Sequence, residues 1–230
     1  MQRFTPALRG ALFTISTLFG GLAHGLLAGS LTFEIIPGSS VDNVQLGHAA
    51  IAAVPALIGF LAGGAVWGVM MGRIAGEHNS RRMMWAGMLG FGPISIILAV
   101  GLGIAEQSIV AKFASVGQPI HRVFTLLFVP SAFLIAGISS WAIGKGLRQS
   151  HLAWRLSWQV GLTAGITFLV INLIMEAAGW VVGAPGAAER ATMLTVLAVG
   201  NVGAALIGGG YLGWILSKWG GLSNSNLNIH

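Results

Sequence analysis

The chain has no cysteine and few charged residues. Without cysteine it cannot form a disulfide, a thiolate zinc site or a cysteine nucleophile. Charged residues make up 8% of the sequence and hydrophobic residues 55%, whereas an average soluble domain has roughly 25% charged residues. Because so little polar surface cannot cover a water-soluble globule, the composition predicts an integral membrane protein.

The sequence also lacks the local motifs of common enzymes. It has no Gly-x-Ser-x-Gly elbow, no His-Glu-x-x-His, no phosphate-binding loop and no paired aspartates to hold a magnesium diphosphate. We therefore expect a protein that is not an enzyme, and an intramembrane site assembled from single residues on separate helices is the alternative. The net charge of +6 is scattered in small groups, so no basic stripe indicates a nucleic-acid partner.

Six long apolar runs are separated by short polar links. The runs cover residues 10–33, 49–72, 84–105, 123–144, 156–177 and 191–217. Each is near the roughly 20 residues that an α-helix needs to cross a ~30 Å hydrocarbon core. Lipid cannot pair open backbone groups, and the alternating pattern of barrel strands is lacking. The sequence therefore predicts a single all-α domain, a six-transmembrane-helix bundle in the lipid bilayer.

Two segments near these runs have a separate interpretation. Residues 107–118 place apolar side chains on one helical face, which predicts a short amphipathic helix on the outer membrane surface. Residues 1–28 resemble a signal peptide, with basic residues before an apolar stretch. That alternative is disfavoured because the run continues through Leu31 and Phe33, beyond the usual length of such a stretch.

Basic and acidic residues lie on opposite sides of this six-run pattern. Nine of the 12 Lys and Arg residues fall on one side: Arg3, Arg9, Arg73, Arg81, Arg82, Lys145, Arg148, Arg155 and Lys218. Five of the 6 acidic residues fall on the other side. Lys and Arg in short loops stay on the cytoplasmic side. The pattern predicts a multi-pass protein of the bacterial inner (cytoplasmic) membrane with both termini in the cytoplasm.

The even-numbered runs share a motif in their cytoplasmic halves. Each carries Gly-x-x-x-Trp followed by a basic residue, as Gly63 with Trp67, Gly137 with Trp141, and Gly210 with Trp214. The pattern predicts three parallel two-helix repeats around a pseudo-threefold axis along the membrane normal. The three tryptophans would then lie at one depth, each against a neighbouring glycine face. The alternative explanation is that glycine is abundant and that Trp prefers membrane interfaces.

Glycines four residues apart form faces on several runs: Gly21, Gly25 and Gly29; Gly64, Gly68 and Gly72; Gly161 and Gly165; Gly209 and Gly213. Small residues at this spacing let helix backbones approach closely. We expect these glycine faces to form packing seams between neighbouring helices of the bundle. The alternatives are that a glycine face forms a homo-oligomer contact or docks to a partner in a membrane complex. Pro55, Pro93 and Pro130 are expected to break three helices midway and to free carbonyls that can line a cavity.

Polar residues inside apolar runs are candidate functional residues. His24 lies near the middle of the first run, where an imidazole can bind a metal, haem or a chlorophyll-type pigment, or carry a proton. A neutral His bonded to a nearby carbonyl is the structural alternative, so the sequence requires no cofactor. Asn172 and Glu176 lie four residues apart on the fifth run, and Asn201 on the sixth is positioned to meet Asn172.

Six further candidates lie at the outer ends of the helices: Glu34, His48, Glu106, His121, Glu176 and Glu189. In a threefold ring they would form an outer vestibule for a divalent cation or a cationic solute. No pair of ligands is fixed on one helix, so the metal is unknown, and ordinary polar helix ends are the alternative. Glu176 is the strongest candidate because the residues that follow it are apolar.

These features favour a transporter or channel for a small solute or cation. The alternative is a non-catalytic accessory subunit of a larger electron-transfer or light-harvesting membrane complex. In that alternative the glycine faces dock against partners, and His24 or the tryptophans contact quinone, pigment or lipid.

Overall fold

The structure is a computed structural model that describes residues 4–18, 46–93, 120–179 and 187–225. Side chains are described over residues 4–18, 57–93, 125–126, 128–179 and 199–219. Regular secondary structure in these ranges is helical throughout, which confirms the predicted all-α class. The surface helix expected at residues 107–118 lies outside the described residues.

Six helices occur in the described ranges. α1 covers residues 6–18 and α3 covers residues 80–93, and the other four are α2 Leu46–Ile74, α4 Ile120–Gly146, α5 Ser150–Ala177 and α6 Ala187–Ser225. These four contain segments long and apolar enough to cross a membrane. α6 continues beyond the predicted end at residue 217, because the end of an apolar run does not stop backbone hydrogen bonding.

Glycine brings α2, α3 and α4 into close contact in chain order. A Cβ atom added at Gly64 would lie 2.7 Å from Gly87 O, between α2 and α3. One added at Gly90 would lie 2.6 Å from Ala142 Cβ, between α3 and α4. At these distances even a methyl group would clash, so glycine is what permits the approach of the helices.

The same kind of contact links α4, α5 and α6. A Cβ atom at Gly161 of α5 would lie 2.9 Å from Phe133 O of α4. One at Gly208 of α6 would lie 3.3 Å from Ala164 Cβ of α5. α5 therefore lies between α4 and α6.

α1 closes the circle by contacting both α2 and α6. A Cβ atom at Gly10 would lie 2.9 Å from Gly213 Cα of α6, and one at Gly63 would lie 3.0 Å from Thr17 Cγ2 of α1. Each helix thus packs on the next, and α6 packs on α1; we call this arrangement the six-helix ring. The described glycine faces are occupied by neighbouring helices of the same chain, as the packing-seam interpretation predicts.

α2 and α4 end in the same kind of turn. Gly76 and Arg148 have left-handed backbone conformations, with φ of 76° and 60°. The amides that follow them, of Glu77 and Gln149, donate to carbonyls five residues back at 2.8 Å and 3.1 Å. This pattern satisfies carbonyl groups that a helix C-terminus otherwise leaves unpaired.

Arg82 ties the two described loops together at one end of the ring. Its guanidinium forms an ion pair with Glu77 of the first loop, and its Nε donates to Gly146 O at the end of α4. Asn79 caps the start of α3, because its Oδ1 accepts from Arg82 N at 3.0 Å. The first turn of α3 is therefore fixed to the last turn of α4, where a cation also complements the helix dipole.

The largest group of buried apolar side chains lies in the half of the ring next to these loops. It consists of Trp67, Met71, Ile74, Met83, Ile143, Leu156, Val160, Leu212, Ile215 and Leu216. A second, smaller group, formed by Ala132, Ala164, Phe168 and Ala204, lies farther from the loops. The loop end thus holds the larger share of the buried apolar side chains that the structure describes.

The three motif tryptophans do not occupy equivalent positions. Trp67 is 2% exposed, whereas Trp141 and Trp214 are 41% and 45% exposed, with Lys145 and Lys218 over their rings. Trp67 lies nine residues before the left-handed Gly76 that follows α2, whereas Trp141 lies seven residues before the left-handed Arg148 that follows α4. The two tryptophans are thus offset by two residues relative to the ends of their helices. Two residues correspond to about 200° around a helix, so the two side chains point in nearly opposite directions. Trp67 therefore differs from Trp141 and Trp214 in its environment, and the common depth of the three tryptophans stays a prediction.

The prolines of α2 and α4 do not break their helices. α2 is continuous through Pro55, and α4 is continuous through Pro130. Pro130 is exposed, so its ring lies on the outer surface of α4. The expected midway breaks at these two positions are wrong, because one missing N–H group is tolerated inside a packed helix.

Candidate functional site

All six helices contribute to a cavity in the centre of the ring, which we call the central cavity. One lining residue from each helix is, in chain order, Thr14, Trp67, Phe91, Ser140, Ala164 and Gly209. The volume of the cavity is about 70 Å³. Since one water needs roughly 10–15 Å³ of such space, the cavity has room for a few waters or for one small solute.

The wall of the central cavity is apolar with a few neutral polar groups. Most of the lining side chains are alanine, glycine or larger aliphatic and aromatic residues, and Thr14, Ser139, Ser140 and Asn201 supply polar groups. No Asp, Glu, Lys, Arg or His lines the cavity in the part of the chain that the structure describes. The cavity therefore offers hydrogen bonds without a counter-charge.

Ser140 has a buried hydroxyl group that lacks a partner. The residue is 1% exposed, and its Oγ has no hydrogen-bond partner among the described residues. The adjacent Ser139 Oγ donates to Gly90 O at 3.1 Å. Leaving a buried hydroxyl unpaired costs about 1–3 kcal/mol, which a bound molecule can offset by hydrogen bonding to it.

Thr14 and Trp67, on another part of the cavity wall, are joined by a hydrogen bond. Trp67 Nε1 donates to Thr14 Oγ1 at 2.9 Å, and Thr14 Oγ1 donates to Gly10 O at 2.8 Å. The indole N–H is therefore engaged within the protein. This bond also fixes Trp67 in its inward orientation between α1 and α2.

A second concavity, which we call the outer groove, lies between α4 and α5 at the end away from the described loops. It has a volume of about 430 Å³ and is lined by Thr125, Leu126, Leu169, Asn172, Leu173, Glu176 and Ala177. Asn172 is buried and Glu176 is half-buried. Two of the predicted site residues thus share one site, as their spacing of four residues on a helix implies.

Asn172 and Asn201 face different spaces. Asn172 Nδ2 donates to Phe168 O of its own helix at 2.7 Å, and its Oδ1 has no hydrogen-bond partner among the described residues. A Cβ atom at Gly200 would lie 2.8 Å from Asn172 Nδ2, so the amide reaches the surface of α6. Asn201 instead lines the central cavity. The predicted meeting of the two amides stays a prediction.

Phe168 lies on α5 between the residues that line the outer groove and those that line the central cavity. On α5 it lies one turn from Asn172 of the groove and one turn from Ala164 of the cavity. Its ring is fully buried and stacks on Phe128, with 6.3 Å between the centroids. One face of α5 therefore runs from Glu176 through Asn172 and Phe168 to Ala164, and the buried phenyl ring lies between the two spaces along this face.

Most of the predicted outer cluster lies beyond what the structure describes. Glu34, Glu106 and His24 lie outside the described residues, and the side chains of His48, His121 and Glu189, which belong to α2, α4 and α6, lie outside the described part as well. Their convergence stays a prediction. Among the described residues, no three His, Asp or Glu side chains are grouped to hold a metal ion.

Three residues of the site, Ser139, Ser140 and Phe168, escape recognition in the sequence. Ser139 and Ser140 form a pair of adjacent hydroxyls within an apolar run, and that pair is a usable signal for a polar position in a bundle. Phe168 gives no such signal, because phenylalanine is common everywhere in membrane helices. Only the packing of the helices distinguishes it.

No protein-family model, curated protein or solved structure that was compared with this chain matches it. Function is therefore argued from the chemistry of the site, which is in any case a better guide than fold.

Proposed function

We propose that this chain is a membrane protein that moves a small solute across the bacterial inner membrane. The observation that carries this proposal is the central cavity, to which all six helices contribute and in which the Ser140 hydroxyl lacks a partner. A helical bundle with only a structural role fills its centre with side chains to the density of a crystal. A mostly apolar cavity on the axis with a few neutral polar groups instead suits a molecule that enters and leaves.

Insertion in a membrane is supported by the outer surface of the helices. Four helices have the length and composition of membrane spans. Large apolar side chains are exposed along α5, including Leu162, Ile166, Val170 and Leu173. Soluble proteins rarely expose a continuous apolar surface of this extent. We propose that the described loops, which carry the basic residues, face the cytoplasm and that the outer groove faces the other side.

The packing of the helices supports three two-helix repeats, α1–α2, α3–α4 and α5–α6. The seams between successive repeats, α2–α3, α4–α5 and α6–α1, each place small residues in contact: Gly68 with Gly87, Gly137 with Ser157, and Gly213 with Gly10. The helices of the first two seams are also joined by loops that begin with the same turn. We propose a pseudo-threefold ring with a six-span topology and with the central cavity on its axis. The displacement of Trp67 is then a local departure within the first repeat.

The proposed passage has two compartments and one barrier. The outer groove presents Glu176 and Asn172, Phe168 closes the route, and the central cavity lies beyond it. Glu176 is the proposed attachment point for a cation at the outer groove, together with Glu34, His48, Glu106, His121 and Glu189 if these converge.

A cation panel tests this outer site. Glu176→Gln keeps the shape of the side chain and removes its charge, so we expect it to abolish thermal stabilisation of the protein by divalent or organic cations. The measurement is the melting temperature of the purified protein in detergent with each cation. If no cation shifts the wild type, or if the variant responds equally, Glu176 does not bind a cation.

The transport proposal is tested with purified full-length protein in liposomes. Uptake of a panel of small neutral molecules and small cations is followed by light scattering after an osmotic step. We expect at least one solute to enter faster than through protein-free liposomes. If none does, the protein is not a transporter of small solutes. Co-purification of a large coloured complex in mild detergent would instead favour the accessory-subunit alternative.

A further inference from the structure

We propose that the central cavity binds a small, neutral molecule that both donates and accepts hydrogen bonds, that it excludes ions, and that the Ser140 hydroxyl anchors the bound molecule. This inference rests on the proposed transport function and names the class of solute. Urea, small amides and small polyols have the required chemistry, and water is the smallest member of the class.

Size limits the bound molecule. The cavity volume of about 70 Å³ corresponds to roughly five closely spaced waters, or to one solute with about as many non-hydrogen atoms. Sugars, nucleotides and lipids are too large for this space. The limit applies to the conformation described, in which Phe168 is fully buried.

Charge is excluded by the composition of the wall. The described lining residues include no ionisable acid or base, so an ion inside would lose its hydration without gaining a counter-charge. Glu176 is the nearest acidic residue along α5, and it lies twelve residues from Ala164 of the cavity. At 1.5 Å per residue this is roughly 18 Å along the helix, too far to replace the hydration of an ion.

Ser140 is the group that distinguishes a polar solute from an apolar one. The hydroxyls of Ser139 and Thr14 already donate to Gly90 O and Gly10 O. The Ser140 hydroxyl, 1% exposed and without a partner among the described residues, is able to donate one bond and to accept others. Asn201 lines the same cavity from α6 and adds an amide. A molecule with both donors and acceptors uses this wall best.

The test compares urea with guanidinium, which has the same planar shape and number of non-hydrogen atoms but carries a positive charge. Full-length wild-type protein in liposomes is given each probe in turn, with potassium as a second cation and with water flow recorded separately. We expect urea to enter at least tenfold faster than guanidinium after subtraction of the protein-free rate. Selective passage of water alone also supports a neutral hydrogen-bonding guest and identifies it as water.

The outcomes separate this inference from the transport proposal. If neither neutral nor charged probes pass faster than through lipid, the transport proposal itself fails. If guanidinium or potassium passes as fast as urea, transport stands and the neutral class is wrong. These measurements use wild-type protein, so they do not depend on the folding of any variant.

A variant tests the anchoring role of Ser140. We expect Ser140→Ala to raise the urea concentration for half-maximal uptake several-fold, because the bound molecule loses its hydrogen-bond partner. Ser16→Ala is the matched control, since Ser16 is an exposed serine of α1 whose hydroxyl donates to Leu12 O of the same helix. If the half-maximal concentration is the same in wild type and Ser140→Ala, Ser140 is not the anchor.

Discussion

At the scale of single residues, Phe168 connects packing to function. Its ring packs against Ala132, Ala164 and Ala204, and in the proposed passage it also closes the route from the outer groove. The same side chain would then contribute to stability and limit permeation. A residue with two such roles can be altered to show whether the two effects change in opposite directions.

We expect Phe168→Ala to speed solute uptake and to lower stability together. Removal of a buried phenyl ring typically lowers the free energy of unfolding by about 3–5 kcal/mol. In the proposed passage the removal would also connect the outer groove with the central cavity. Uptake by liposomes and the melting temperature in detergent are the measurements, with Phe168→Leu as a milder variant. Ile166→Ala on the exposed side of α5, away from both spaces, is the control and should change neither by much. Slower or unchanged uptake in folded Phe168 variants would show that the ring is not the barrier.

Arg148 offers a second prediction at this scale, since it has a left-handed backbone with φ of 60°. Non-glycine residues in this conformation cost roughly 1–2 kcal/mol, and glycine loses part of that gain through its flexible unfolded state. We expect Arg148→Gly to raise the free energy of unfolding by up to about 1 kcal/mol. The measurement is chemical or thermal unfolding of the purified protein.

The matched control for Arg148→Gly is Arg73→Gly, because this substitution removes an equal charge from the same end of the ring. Arg73 lies in the last turn of α2. Glycine at such a helical position is expected to destabilise by about 1 kcal/mol. If the two changes shift stability in the same direction, the left-handed backbone of Arg148 is not the cause of the effect.

At the scale of helices, the seam between α1 and α6 depends on glycine. A Cβ atom at Gly213 would lie 2.5 Å from Pro6 O and 3.0 Å from Gly10 Cα, both of which are backbone atoms that cannot rotate away. Gly210 is on the same helix, but a Cβ atom there would lie 3.4 Å from Ala7 O, which is ordinary contact. The two positions therefore differ in packing and share their helix.

This difference predicts opposite outcomes for the same substitution. Gly213→Ala should lower the melting temperature by forcing α1 and α6 apart, whereas Gly210→Ala should leave it unchanged or raise it through the better helix propensity of alanine. Thermal unfolding of both variants in one detergent is the measurement. Equal destabilisation by the two variants would mean that the close approach at Gly213 does not hold the seam.

Much of the architecture at this scale is predictable from sequence, because long apolar runs dictate helices in a medium without water. α5 was predicted over residues 156–177 and extends over Ser150–Ala177. The inward direction of Trp67 was not predictable, since it depends on an offset of two residues relative to the end of α2. The lack of a partner for Ser140 was not predictable either, because it depends on which of two adjacent serines reaches Gly90 on α3.

At the scale of the whole molecule, topology gives a prediction that needs no ligand. The chain contains no cysteine, so single cysteines report their own location. Ser80 and Ala178 are exposed and lie at opposite ends of the ring. We expect Ala178→Cys to react with an impermeant maleimide in intact cells, and Ser80→Cys to react only after permeabilisation. The reverse pattern would invert the orientation inferred from the basic residues.

The contact between α1 and α6 also has a consequence for biosynthesis. Ribosomes deliver helices to the membrane in order, so α1 reaches the bilayer well before its partner α6 exists. The Gly10 surface is therefore uncovered while α2 to α5 are inserted, and its contact with Gly213 forms only after α6 has been inserted. The entropic cost of joining two segments grows only slowly with the number of residues between them. The contact is therefore late because α6 is synthesised last, and its free energy is little affected by the separation. Until that step the seam between α1 and α6 is open, so the groups that line the central cavity, Ser140 among them, lack one side of their enclosure.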